Sequence, residues 1–191
     1  MFEVSTEEFL RALDEATEEN GSSKLDKLIT RFASFCFKED VSSLEQFSDE
    51  VFKRILDLMH QVAFQRLENS HYLLMMFEYD WGKLSEAQRS KLLIAIEQTY
   101  DKFEDWMSCF VFSELLGEYY CNDASLQVLC NLKATRSEVA RSLVPHGLEH
   151  IIRGSQEGKL RQQAMSILVS MKVDPSSEVR REVEDALSKF P

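Results

Sequence analysis

Ser137-Glu138-Val139-Ala140-Arg141 and Ser177-Glu178-Val179-Arg180-Arg181 stand forty residues apart, and each reads as the opening of a helix. A small hydroxyl residue precedes an acid, which suits the N-terminal end of the helix dipole, and an apolar residue follows. Between them Leu160, Ala164, Ile167, Leu168 and Met171 recur at helical spacing, so an amphipathic helix separates the two starts. Forty residues is the period of a helix pair. Around the first start, Thr135-Arg136-Ser137-Glu138 has the form of a capping box with Ala134 and Val139 at the staple positions, and Pro145 predicts a kink or break two turns later. Around the second, Asp174-Pro175 supplies a cap and a first-turn proline, and Val179, Val183, Leu187 and Phe190 form the inner face.

The same grammar extends upstream. Ser5 and Glu8 form a capping box for a first helix, and Leu25, Leu28, Ile29, Phe32 and Cys36 mark a second. A third is expected from about Ser48 towards Leu67, and a short buried one over His71 to Phe77. Ser85 and Gln88 cap a helix that runs to about Phe103, and its successor begins near Glu104. Gly117, inside an apolar stripe, predicts close approach of a neighbouring helix; Asn122-Asp123 caps the next short helix. With six glycines, three prolines and no strand-like alternation, the expected fold is all-α, about ten helices in one domain over residues 1–191. Helices joined by such short connections pack as antiparallel pairs.

The turn Val173-Asp174-Pro175-Ser176-Ser177-Glu178-Val179-Arg180, following the helix over Ala164 to Lys172, resembles the inter-repeat turn of HEAT repeats. That pattern has an Asp in the turn and Val-Arg at the next helix start, met here by Asp174, Val179 and Arg180. In the earlier unit Ala140 stands where the pattern has Arg, and no turn Asp precedes it. The resemblance covers residues 135–191. It implies that the turn Asp pairs with an Arg while the Val packs on the preceding repeat, and that the helix pairs stack as a right-handed α-α superhelix of the HEAT/armadillo kind.

The net charge is −11, and it is concentrated: residues 1–20 carry seven acids against Arg11, residues 78–123 ten acids against four bases, and residues 135–191 are near neutral. An acidic chain repels phosphate backbones, so no direct nucleic-acid contact is expected. The acidic start of the chain lacks the form of a secretory signal and no apolar run reaches a membrane span, which points to the cytoplasm and to no membrane partner. Cys36, Cys109, Cys121 and Cys130 lie in apolar stretches and are expected as free, buried thiols.

His146 and His150, four apart on a helix, present both imidazoles to one side. No third ligand lies near them in the sequence and Glu149 is misplaced for His-Glu-x-x-His, so neither a metal nor another cofactor is expected. No phosphate loop, nucleophile elbow or kinase motif occurs, so the chain reads as no enzyme. Three groups combine acids with aromatics: Glu78-Tyr79-Asp80-Trp81, Glu104-Asp105-Trp106 and Glu118-Tyr119-Tyr120. Trp81 and Trp106 are expected in the core, as large side chains usually are. Tyr79, Asp80, Glu104, Asp105, Glu118 and Tyr119 are the expected partner-binding residues, because aromatics anchor interfaces and carboxylates draw in basic partners.

The expected function is a non-catalytic protein-binding module with an acidic surface, of the inhibitor or immunity type that masks a basic partner protein. An adaptor holding a peptide in a helical groove is the alternative. A helical-repeat enzyme is third, because Arg136, Arg141, Arg153, Arg161, Arg180 and Arg181 interleave with Glu138, Glu157, Glu178 and Glu182 and read as a paired, solvated face.

Overall fold

The computed structural model describes residues 49–190, together with Leu10, Arg11, Asp14, Asp26, Lys27, Ile29 and Thr30. Cys36 and the capping box at Ser5 lie outside the described residues. Contacts divide the chain into two compact units, Met1–Ala95 and Ile96–Pro191. Nine α-helices are bounded among the described residues: α1 Asp49–Met59, α2 Val62–Gln65, α3 His71–Tyr79, α4 Glu86–Thr99, α5 Trp106–Glu114, α6 Asp123–Leu132, α7 Glu138–Gly154, α8 Gly158–Ser170 and α9 Ser177–Ser188. The described residues contain no strand, so the protein is all-α as the sequence indicates.

In the first unit, α1 buries Val51, Phe52, Ile55, Leu58 and Met59 along one stripe. The single helix expected from Ser48 to Leu67 is instead two, because Gln61 turns extended and the buried Gln65 amide donates to the Met59 carbonyl at 2.8 Å. That bond satisfies an end-of-helix acceptor that would otherwise be orphaned. α3 packs Leu73, Leu74, Met76 and Phe77 inward, with Phe77 edge-on to Phe52 at 5.7 Å. The capping box ahead of α4 forms as expected: the Ser85 amide donates to Gln88 Oε1 at 2.8 Å and the Gln88 amide to Ser85 Oγ at 3.3 Å.

In the second unit, α7 is the hub, touching α5, α6, α8 and α9. Helices α5 and α9 each pack on α7, and α6 packs on α8 as well as on α7. Pro145 lies inside α7 without breaking it. An interior proline costs about 3 kcal/mol in an isolated helix; here α7 is packed by four neighbours, with Leu143, Val144, Leu148 and Ile151 buried, and tertiary packing prevails.

Turns follow α4, α6 and α8, and polar groups tie them together. Thr135 Oγ1 donates to Asp101 Oδ2 at 2.7 Å, Lys133 Nζ to Ser170 Oγ at 3.2 Å, and Arg141 Nε to Asp174 Oδ2 at 3.1 Å. Arg141 Nη1 also donates to the carbonyls of Thr135 and Arg136, and Arg180 Nη1 does the same to Asp174 and Pro175. Arg141 and Arg180 are therefore equivalent. The helix caps agree: they are Ser137 and Ser176, not Thr135 and Asp174, so the structural offset is thirty-nine residues. Pro175 accordingly precedes the cap, and Ala140 corresponds to the buried Val179 rather than to an Arg. The five-residue match misled by one position because both turns contain serines able to cap.

Candidate functional site

α5 starts at Asp105, whose carboxylate accepts from the Ser108 amide at 2.8 Å and from its hydroxyl at 3.0 Å. The helix ends in a π-helical turn, Leu115–Tyr120, closed by Cys121 N donating to Leu116 O at 3.3 Å, with Cys121 in the left-handed region at φ 42°. Wide turns of this kind recur at functional sites. A β-carbon on Gly117 would lie 2.3 Å from the Gly147 carbonyl oxygen and 2.8 Å from His150 Cβ, so the expected close approach is real and α7 is the neighbour. Alongside, Ser113 Oγ donates to the Leu143 carbonyl at 2.8 Å in the buried part of the seam.

This backbone contact brings side chains from α5, the π turn and α7 to one rim. His146 Nε2 donates to Glu114 Oε1 at 3.0 Å, while His150 Nε2 lies 3.5 Å from the same oxygen. On the other side of its ring, His150 Nδ1 lies 3.3 Å from Glu118 Oε2. The two imidazoles meet edge to face at 4.7 Å. Phe110 stacks on His146 at 4.6 Å and Trp106 on Phe110 at 5.2 Å, so four rings form a continuous row. Among the described residues, one ligand atom from each of Glu114, His146 and His150 falls within 4.8 Å of the others, so these three could hold an ion together.

The electrostatics follow from this packing. The hydrogen bond from His146 holds the Glu114 carboxyl below its ordinary range, helped by the charges of His150 and His146 against the opposing effect of burial. Burial pushes the His150 imidazole below its ordinary value, and His146 adds to this; Glu114, Glu118 and Glu149 pull the other way. Cys109 is buried, and burial together with Asp105 and Asp101 lifts its thiol to about 12, which leaves it inert. Cys121 and Cys130 are only half-buried, more open than expected, because each sits near a helix end or rim.

The six residues singled out in the sequence are placed differently from one another. Tyr79 ends α3 with 60% of its surface exposed, whereas Asp80 beside it is enclosed and pairs with Lys83 at 3.0 Å. Those two belong to the first unit and the other four to the second. Glu104 is exposed ahead of α5, Asp105 is spent on the cap, Glu118 joins the rim cluster, and Tyr119 is half-buried in the π turn. Trp106, expected in the core, is 48% exposed. The residue that sequence reasoning missed is Glu114, the third partner of the histidines, which arrives from another helix. Its signal was a lone acid inside the apolar run Val111-Phe112-Ser113-Glu114-Leu115-Leu116.

The C-terminal arginines are paired in part: Arg153 with Glu149 at 2.9 Å, and Arg181 with Glu178 and Glu182. Among the described residues no helix is long and apolar enough to cross a membrane. No family model, curated protein or solved structure gave a significant match to the chain.

Proposed function

We propose that this chain is a non-catalytic protein-binding module that uses the rim of α5 and α7 to engage a basic partner protein, as an inhibitor or immunity-type protein would. The observation that carries the reading is the half-exposed Trp106 at the head of a row of rings, stacked on Phe110, which stacks on His146, with Glu114 and Glu118 beside the histidines at its other end. A rigid aromatic anchor ringed by carboxylates is the composition of an interface hot spot, and the net charge of −11 speeds encounter with a cationic surface. The supporting scaffold is a HEAT-like right-handed stack of helix pairs, a reading supported by the equivalence of Arg141 and Arg180 and by the Asp174–Arg141 pair between successive turns. The setting is cytoplasmic.

Capture from the native source at low and moderate salt, with wild-type, Trp106→Ala and Glu118→Lys proteins, tests this. The expected result is a basic protein retained by the wild type, released by moderate salt and lost with either substitution. Equal retention by all three proteins overturns it.

A second reading, a peptide-holding adaptor, is favoured by one observation: a groove of about 480 Å³ lined by Leu126, Cys130 and Ile167 from α6 and α8 with Gln127, Gln163 and Lys159 at its edges. Under it, Ile167→Asp abolishes capture and Trp106→Ala does not.

A further inference from the structure

His150 faces a carboxylate with each of its ring nitrogens, Glu118 at Nδ1 and Glu114 at Nε2. A neutral imidazole carries one N–H, so it satisfies one of these carboxylates and turns a lone pair towards the other. A cation placed between Nε2 and Glu114 resolves that conflict without a proton.

The spacing suits such an ion. Zinc bonds nitrogen and carboxylate oxygen at about 2.0–2.1 Å, so tetrahedral geometry sets its ligands about 3.3 Å apart. The Glu114 oxygen lies 3.0 Å from His146 Nε2 and 3.5 Å from His150 Nε2, which brackets that edge. Glu118 Oε2, 3.3 Å from Nδ1, then stands where an outer carboxylate belongs, placed to receive the Nδ1 proton of a ring whose Nε2 faces inward. The backbone contact of Gly117 with Gly147 holds the two helices at this separation.

We propose that Glu114, His146 and His150 bind one divalent transition-metal ion of the zinc class, with Glu118 as the positioning carboxylate behind His150. The ion takes Nε2 of both rings and the Glu114 oxygen, so each neutral imidazole then carries its one proton on Nδ1. Three protein ligands leave the fourth position to water or to a partner's side chain. The site shares His146, Glu114 and Glu118 with the proposed partner rim, and Trp106→Ala separates the two readings: it is expected to abolish capture and to leave metal binding unchanged.

The test is titration of the chelator-stripped full chain with zinc against a chromophoric competitor, followed by cobalt as a spectroscopic probe. One equivalent of zinc is expected, with affinity lowered more than about 100-fold by His146→Ala, His150→Ala or Glu114→Gln, and about 10–100-fold by Glu118→Gln. Zinc should raise the Tm of the wild type and not of the ligand variants. The cobalt-loaded wild type should show the visible spectrum of a four- or five-coordinate ion. This readout needs no variant, so a misfolded substitution leaves it intact. The proposal is overturned if cobalt keeps its aqueous spectrum, or if zinc binds a folded His146→Ala/His150→Ala double variant as it binds the wild type.

Discussion

Helix α7 carries a carboxylate contact on each side, and the two are completed differently. Towards α9, the enclosed Glu149, 7% exposed at its side chain, meets Arg153 at 2.9 Å and Lys189 at 2.9 Å. Towards α5, Glu114 meets His146 and His150. Arginine and lysine hold their charge at any physiological pH, so the first contact is closed and structural. Imidazoles change charge near neutrality and exchange a proton for a metal, so the second is open to chemistry. The lesson is that the same helix separates a fixed joint from a responsive one, according to whether the counter-charge is permanent.

The largest loss is expected at the Gly117–Gly147 contact. Gly117→Ala puts a β-carbon against the Gly147 backbone, where nothing flexible can yield, so denaturant unfolding should show a loss of about 3 kcal/mol or more, together with loss of zinc binding. Glu149→Gln and Glu114→Gln should differ in cost. Removing the Glu149 charge leaves Arg153 without its carboxylate while Lys189 keeps Asp185 at 2.8 Å, and should cost about 1–2 kcal/mol, less than a fully buried pair because Arg153 is mostly exposed. Glu114→Gln keeps a hydrogen-bond acceptor for His146 and should cost about 0.5 kcal/mol or less while removing metal affinity. Comparable losses in both would erase the distinction between the two sides.

A smaller effect is expected from pH. The folded His150 sits below its ordinary value of 6.5, so the unfolded chain takes up the proton first as pH falls; stability is fully present above 6.5 and declines below it. Glu114, held below 4.5, adds stability present above 4.5 and lost as pH falls through its folded value. Thermal unfolding followed from pH 7 downward should therefore weaken in two stages. His150→Gln should remove the first stage and spare the second.

Much of this fold was legible in the sequence because capping and apolar spacing are local. Ser85 with Gln88, the Asn122 cap and the glycine at 117 all appear where those rules place them. What local rules missed had non-local causes. The break between α1 and α2 depends on Gln65 reaching back to Met59, and the continuity of α7 through Pro145 depends on neighbours on every side. The equivalence of Arg141 with Arg180 emerged only from which carbonyls they bind. For the site, the histidines were visible as a spaced pair, but Glu114 lies thirty-two residues upstream and reaches them only through the α5–α7 contact. Exposure was the least legible quantity. Trp106 and Asp80 exchanged the roles their polarity suggests, since Asp80 is enclosed with Lys83 nearby and Trp106 stacks outward on Phe110.

The most direct measurement of the responsive side of α7 is the pH titration of the imidazole nitrogens by long-range nitrogen–proton NMR on metal-free protein. His150 should titrate below 6.5 and, when neutral, carry its proton on Nδ1 towards Glu118 with Nε2 bare. Titration at or above 6.5, or a proton resident on Nε2, would mean that Glu118 does not orient the ring and that the cluster is an ordinary surface ion pair.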